Sequence, residues 1–396
     1  MPSFRQTLAA TIAILAAAGS GWAAQPPFQI ERQVIARGDA RDDWRQARPA
    51  PLPGRPGSAI TTLSQTPPQG AHGYRDVFVQ RTDDDGKSWS DPQLIPSLKR
   101  SRQSDGADHV FSDLWPTSHP RTGTVLITGK IFTFENGTTE NTLREHTAYA
   151  VYHVDQDVVG PLRILELPKV DHEGKTLISP NAGCHQPVCL ENGDLLLPVR
   201  YQKAAKPRHY TSCIMHCRFD GETLQYVRHG TEHTLHSGRG LYEPSLTEHR
   251  GRYFFTMRAD DGAYVARSDD GLNFPPEQPW KFDDGTLLGS KNTQQHWLSI
   301  AGRLFLIYTR EGAGNDTVFR HRAPLFIAEV DPDRLCVLRA TEQTVLPNDG
   351  GLYGNSGVVK ASNTEAWITC ADDGGKRRTS PETGNEVFLV RLRLPH

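Results

Sequence analysis

Thr82-Asp83-Asp84-Asp85-Gly86-Lys87-Ser88-Trp89 carries the strongest structural signal in this chain. A hydroxyl, an aspartate, a glycine and a tryptophan stand at fixed offsets, Ser/Thr-x-Asp-x-Gly-x-x-Trp. Each has a task in a tight turn between two strands. The aspartate caps backbone N–H groups, the glycine takes positive φ, and the aromatic ring plugs a gap between neighbouring units. A weaker copy follows at Asp269-Asp270-Gly271-Leu272-Asn273-Phe274, with Arg267 in the Ser/Thr position. Asp372-Asp373-Gly374 reads as a third, decayed copy. Recurrence of one turn marks a radial repeat.

The surrounding sequence agrees with that reading. Short β-type runs recur at 59–63, 76–80, 124–128, 147–152, 195–199, 253–257, 304–308, 325–330, 366–369 and 387–392, separated by turn signals. No helical periodicity longer than about ten residues appears after the N-terminal stretch. Hydrophobic residues make up 37%, alongside 35 Gly and 28 Pro, which suits a turn-rich all-β protein. Many short strands imply a sandwich, a barrel or a propeller, and the repeated turn selects the propeller.

Residues 1–23 have a different character. Arg5 precedes an apolar run from Leu8 to Ala18, and Gly21-Trp22-Ala23 follows with small residues where a signal peptidase cuts. The expectation is a cleaved secretory signal and a periplasmic or secreted chain. The apolar run is too short to span a bilayer, and no later stretch approaches ~20 apolar residues, so no membrane span is expected. Residues 24–57, rich in Pro, Arg and Asp, read as an arm wrapped outside a propeller formed by 58–396. A net charge of −2 gives no sign of a nucleic-acid partner. The six cysteines, Cys184, Cys189, Cys213, Cys217, Cys336 and Cys370, read as buried thiols or cross-strand disulfides. Cys213 and Cys217 lie too far apart along one strand to pair with each other. A metal site of Cys217 with His229, His233 or His236 would match no standard zinc spacing, so neither metal nor cofactor is expected.

The chemistry centres on the stretch from Gly240 to Arg258. It reads as a loop, a strand, a turn at Arg250-Gly251-Arg252 and a second strand ending at Arg258. The hairpin brings Glu243 and Arg258, 15 positions apart, back to one rim of a sheet. This arrangement, with the Asp-box turn at Thr82–Trp89, resembles the sialidase superfamily. The resemblance covers most of the chain after Ser58 and implies a six-bladed propeller. About 370 residues give ~62 per blade, with seven blades of ~53 as the alternative.

The resemblance also implies a mechanism. Sialidases cleave a ketosidic bond beside a substrate carboxylate and use tyrosine as nucleophile, an exception to the two-carboxylate scheme. A neighbouring Glu draws the phenol proton, and arginines clamp the carboxylate. Carried over, Glu243 is the base and Arg258 one clamp. Arg322, or Arg320 on the same face of an expected strand, is another. Tyr353 in Gly350-Gly-Leu-Tyr-Gly-Asn-Ser356 is the nucleophile, although Gly354 follows it rather than Ser. Arg55 is the candidate for the opening arginine. The acid/base Asp has no counterpart in 65–74, which offers only His72, with Asp76 just beyond. His185 and His296 are the other imidazoles expected at the pocket, His185 in a catalytic role and His296 as a substrate contact.

Two competing functions remain. Tyr242 and Arg258, with His185 upstream, also resemble the arrangement of propeller-type polysaccharide lyases acting on uronate polymers. A rhamnosidase-like enzyme on the same polymers belongs to this alternative, and the third reading is a non-catalytic glycan-binding propeller. In a regular strand only one of Tyr242 and Glu243 faces the pocket. Glu243 inward favours hydrolysis, Tyr242 inward elimination. The expected partner throughout is an acidic oligosaccharide or polysaccharide.

Overall fold

A computed structural model describes residues 27–68, 73–135, 145–374 and 384–395. His72 and the expected signal segment therefore lie outside the described residues. The chain forms six antiparallel sheets arranged as the blades of a propeller. The described helical segments are three-residue 3-10 turns, and none is long and apolar enough to cross a membrane.

Each blade runs outward from an axial strand. These innermost strands are Asp43–Pro51, Asp108–His119, the interrupted pair Ile178–Asn181 and Val188–Cys189, then Tyr242–His249, His296–Ile300 and Ser356–Lys360. The second strands return along Ala59–Thr66, Thr124–Phe134, Leu195–Gln202, Arg252–Arg258, Arg303–Tyr308 and Glu365–Ala371. The starts of the first strands, the ends of the second strands and the links from second to third strands thus share one face of the disk.

Alternation along the strands builds the core. Leu195 and Leu197 pack into the seam with the blade before, and Leu196 into the seam with the blade after. Leu304, Leu306 and Tyr308 face one seam, while Phe305 and Ile307 face the next. Both faces of each blade are apolar and must be covered, and a closed ring of blades covers them all. Each fully buried Leu, Ile or Phe contributes about 1.5–3 kcal/mol.

The ring closes with the N-terminal strand. Gln29–Arg37 pairs antiparallel with Glu386–Arg393 as the outermost strand of the sixth blade. Of the stretch 24–57 expected as an external arm, the described residues from 27 on supply strands to the sixth and first blades, and the propeller begins before Ser58. Asp43–Pro51, as the axial strand of the first blade, carries Arg45, Gln46 and Arg48 towards the axis. That polar face hides the apolar alternation that marks an ordinary strand.

The turn at Thr82 behaves as its residues dictate. Gly86 N–H donates to Thr82 Oγ1 at 3.0 Å, and Ser88 N–H donates to Asp84 Oδ1 at 3.0 Å. Trp89 packs edge-on against Trp367, 6.1 Å away, across the seam between the first and sixth blades. In the weaker copy Ser268, not Arg267, takes the hydroxyl role, bonding Asp270 at 2.9 Å and accepting from Gly271 N–H at 3.1 Å. That turn is one residue shorter. All six cysteines are unpaired, five of them buried, so the cross-strand disulfides do not form.

Candidate functional site

Four of the six axial strands break at the same place. The register shifts between Arg45 and Arg48, Ser112 and Trp115, Ile178 and Asn181, and Tyr242 and Ser245. Each break contains a non-glycine residue at positive φ: Gln46 (51°), Asp113 (57°), Ser179 (50°) and Glu243 (44°). A bulge adds one residue and re-aims the side chains beside it, and left-handed backbone at such residues is the strain found at functional sites.

The bulge overturns the choice between Tyr242 and Glu243. Both meet Arg258: the Glu243 carboxylate accepts from Arg258 Nη1, and the guanidinium lies 4.7 Å from the Tyr242 ring centre. Arg258 Nη2 donates to Asn292 Oδ1. The Tyr242 hydroxyl donates to Asp260 Oδ1 at 2.6 Å, and Asp260 also holds Arg239 at 2.6 Å. Glu243 is partly buried, which by itself would raise its carboxyl pKa, but Arg258, Arg200 and Lys130 around it hold it well below the usual range. It stays ionised and anchors Arg258.

Asp113 faces Glu243 from the second blade. It takes Lys130 at 2.9 Å, and its Oδ1 accepts from the Tyr74 hydroxyl at 3.0 Å and from Gln46. Gly183 permits this packing, since a Cβ there would stand 2.7 Å from Asp113 Cβ. Behind it Glu145 joins Lys130 at 3.3 Å to Arg200 at 3.1 Å.

The fifth and sixth blades add the remaining arginines. Arg320 and Arg322 do not alternate along a strand as expected. They sit at a tight turn, Phe319–His321, with Arg320 and His321 at φ 52° and 51°. Arg322 pairs with Asp373 at 3.4 Å, and Arg45 reaches the same carboxylate at 3.1 Å. Asp373, read as part of a decayed outer turn, is therefore a site residue. Gly354 follows Tyr353 because a Cβ there would lie 2.5 Å from Arg322 Nε. Arg320 makes no ion pair among the described residues. Partial burial, then the neighbouring Arg322, Arg258 and Arg239, lower its pKa.

Several expected site residues lie elsewhere. Tyr353 is fully buried in the seam between the fifth and sixth blades, and its hydroxyl donates to Asp349 at 2.6 Å rather than to Glu243. Arg55 sits at the opposite end of its hairpin, 3.4 Å from the exposed Asp155. His185 and His296 are wholly buried. His185 Nδ1–H donates to Pro198 O at 2.8 Å, and His296 bonds Ser245 Oγ at 2.9 Å, so both are interior groups rather than pocket groups. Sequence reading missed Arg45, Tyr74, Asp113, Lys130, Glu145, Arg200, Arg239, Asp260 and Asp373. Their common signal is position, at first-strand starts, second-strand ends and the links that follow.

Burial pushes the His185 pKa down to about 3. The unfolded imidazole titrates near ~6.5, so between these values the unfolded chain binds the extra proton. Stability is full above that range and falls as pH drops, by about 2 kcal/mol at pH 5 from this residue alone. Urea unfolding at pH 7 and pH 5 is expected to show a smaller pH difference for His185→Gln than for wild type.

The architecture and the rim define a six-bladed propeller of sialidase-like fold. No family model matches the chain, and no curated protein matches it in sequence. Solved structures do. A Trypanosoma rangeli sialidase in complex with sialic acid superposes with a TM-score of 0.62 at 14% identity, over 91% of this chain and 58% of that one. A Hadza microbial sialidase gives 0.62 at 12% identity, over 90% and 68%. A protein of unknown function from Dyadobacter fermentans gives 0.62 at 17% identity, over 94% of this chain and all of that one.

Proposed function

We propose that this protein is an exo-acting glycoside hydrolase that removes a carboxylate-bearing sugar. The arginine cluster carries the reading. Arg45, Lys130, Arg200, Arg239, Arg258, Arg320 and Arg322 are seven cations, against six carboxylates, Asp43, Asp113, Glu145, Glu243, Asp260 and Asp373. The surplus of one is the charge a sugar carboxylate would neutralise. Arg320, with no carboxylate of its own among the described residues, is the guanidinium free to grip it.

Tyr74 is the tyrosine best suited to attack. Its hydroxyl already donates to a carboxylate, Asp113, and accepts from Gln46 Nε2 at 2.7 Å. In the attack its oxygen bonds the anomeric carbon as the bond from that carbon to the aglycone oxygen breaks; the phenol proton passes to Asp113 and the aglycone leaves, taking its proton from water. Water then cleaves the tyrosyl glycoside, and the proton on Asp113 returns to the Tyr74 oxygen. Elimination is less well supported, because Asp260 and Arg239 already engage the Tyr242 hydroxyl. Tyr74→Phe is expected to lower kcat at least about a hundredfold on an acidic aryl glycoside, with KM within a few-fold. Tyr353→Phe, which removes the bond to Asp349, is expected to lower Tm and spare kcat. The reverse pattern would return the nucleophile to Tyr353, and release of unsaturated uronate, read at about 232–235 nm, would replace hydrolysis by elimination.

A further inference from the structure

A second cluster lies on the outer part of the third blade, among side chains the glycosidase reading does not use. The hairpin closed by the Val170–Thr176 bridge carries His172 against the end of the strand Leu224–His229 and the loop after it. His172, His229 and Glu232 offer three ligand atoms, all within 4.8 Å of one another. His229 Nε2 is 3.0 Å and His172 Nδ1 3.8 Å from Glu232 Oε1.

We propose that His172, His229 and Glu232 bind one divalent cation of the zinc class. Ligand atoms about 2.0–2.2 Å from zinc at tetrahedral angles stand roughly 3.3–3.5 Å apart, close to the 3.0 and 3.8 Å of the two pairs that Glu232 makes. The imidazoles stack with centroids 4.0 Å apart at 8°, so His172 must turn its ring to aim its nitrogen at a shared ion. Its side chain is 56% exposed and has room to turn, whereas His229 is held. The Tyr226 hydroxyl lies 2.8 Å from His229 Nδ1. A hydroxyl either donates or accepts, so Tyr226 can accept from Nδ1–H and leave the Nε2 lone pair for the metal.

Charge favours the ion. Lys203 meets Glu232 Oε2 at 3.0 Å, Asp171 at 3.2 Å and Glu173 at 3.3 Å, three carboxylates against one ammonium. The net −2 matches a divalent cation. Lys203 takes Oε2, and Oε1, which accepts from the His172 backbone N–H at 2.9 Å, faces the two imidazoles with a lone pair to spare for the metal. Imidazole with one carboxylate suits zinc over calcium or magnesium, and the fourth position falls to water.

The full chain, stripped with EDTA and dialysed, would be titrated with zinc chloride by calorimetry and melted with and without zinc. Wild type is expected to bind one zinc per chain and gain several degrees in Tm by mass action, roughly as ligand linkage requires. His172→Ala changes an exposed side chain and keeps the fold, and is expected to lose on the order of tenfold or more in affinity. Tyr226→Phe is expected to lose less while keeping the stoichiometry. A wild-type protein that takes up no zinc overturns the site. Equal affinity in wild type and His172→Ala overturns it too, since binding would then belong to other groups.

Discussion

Arg258→Ala is expected to lower kcat/KM for a carboxylate-bearing glycoside by a hundredfold or more, and to lower it far less for the same glycoside reduced to the alcohol. Charge-assisted bonds contribute about 1.5–3 kcal/mol each, and beyond its bonds to Glu243 and Asn292 Arg258 keeps a second N–H on each terminal nitrogen for a substrate carboxylate gripped together with Arg320. Arg258→Lys keeps the charge but loses the planar fork, and about a tenfold loss is expected. The alanine variant has a second effect: Glu243, partly buried and ionised against Arg258, is left with less compensation. Removing one partner of a fully buried pair costs about 3–5 kcal/mol of stability, and the cost is smaller here because Glu243 keeps some solvent. Adding Glu243→Gln to Arg258→Ala is expected to recover much of the Tm without restoring turnover. Equal losses on charged and reduced substrates would make Arg258 structural and remove the acidic-sugar reading.

A chain beginning at Gly38 is expected to lose cooperative folding. The missing strand supplies eight paired positions along Glu386–Arg393 and packs Phe28, Ile30 and Val34 against the seam of the fifth and sixth blades. The whole protein is stable by about 5–15 kcal/mol, and losing a strand removes a large part of that. The expected result is insoluble protein, or a Tm lower by at least about 10 °C. A synthetic peptide of residues 27–38 should restore it by adding back to the exposed edge. Unchanged unfolding of the truncated chain would show that the sixth blade is stable with three strands.

The sequence exposed the parts of this protein that depend on local chemistry. The turn at Thr82 could be read because its hydroxyl, carboxylate and glycine serve one another within eight residues. Glu243 and Arg258 could be read because a hairpin returns its own ends to one rim. Arg320 and Arg322 were found in the right link, though the backbone there is a turn and not a strand. The bulges at Gln46, Asp113, Ser179 and Glu243 left no trace, because neighbouring strands impose a left-handed conformation on residues that do not prefer it. Asp373 followed Asp372 and preceded Gly374, which imitates an outer turn, yet its partners Arg45 and Arg322 come from other blades. Burial was equally hidden. His185 and His296 stand among polar residues in sequence, and only the closing of the axis shows that both are sealed inside.

Closure by the first strand also has a consequence for synthesis. Gln29–Arg37 leaves the ribosome about 350 residues before its partner Glu386–Arg393. At about 5–20 residues per second the first strand waits on the order of 20–70 s with an open edge. Such an edge invites pairing with other chains. Gln29, Glu31, Arg32, Gln33 and Arg37 occupy five of its nine positions, so it waits as a charged, hydrated segment. Its apolar side, Ile30, Val34 and Ala36, finds a matching surface only once the last blade exists.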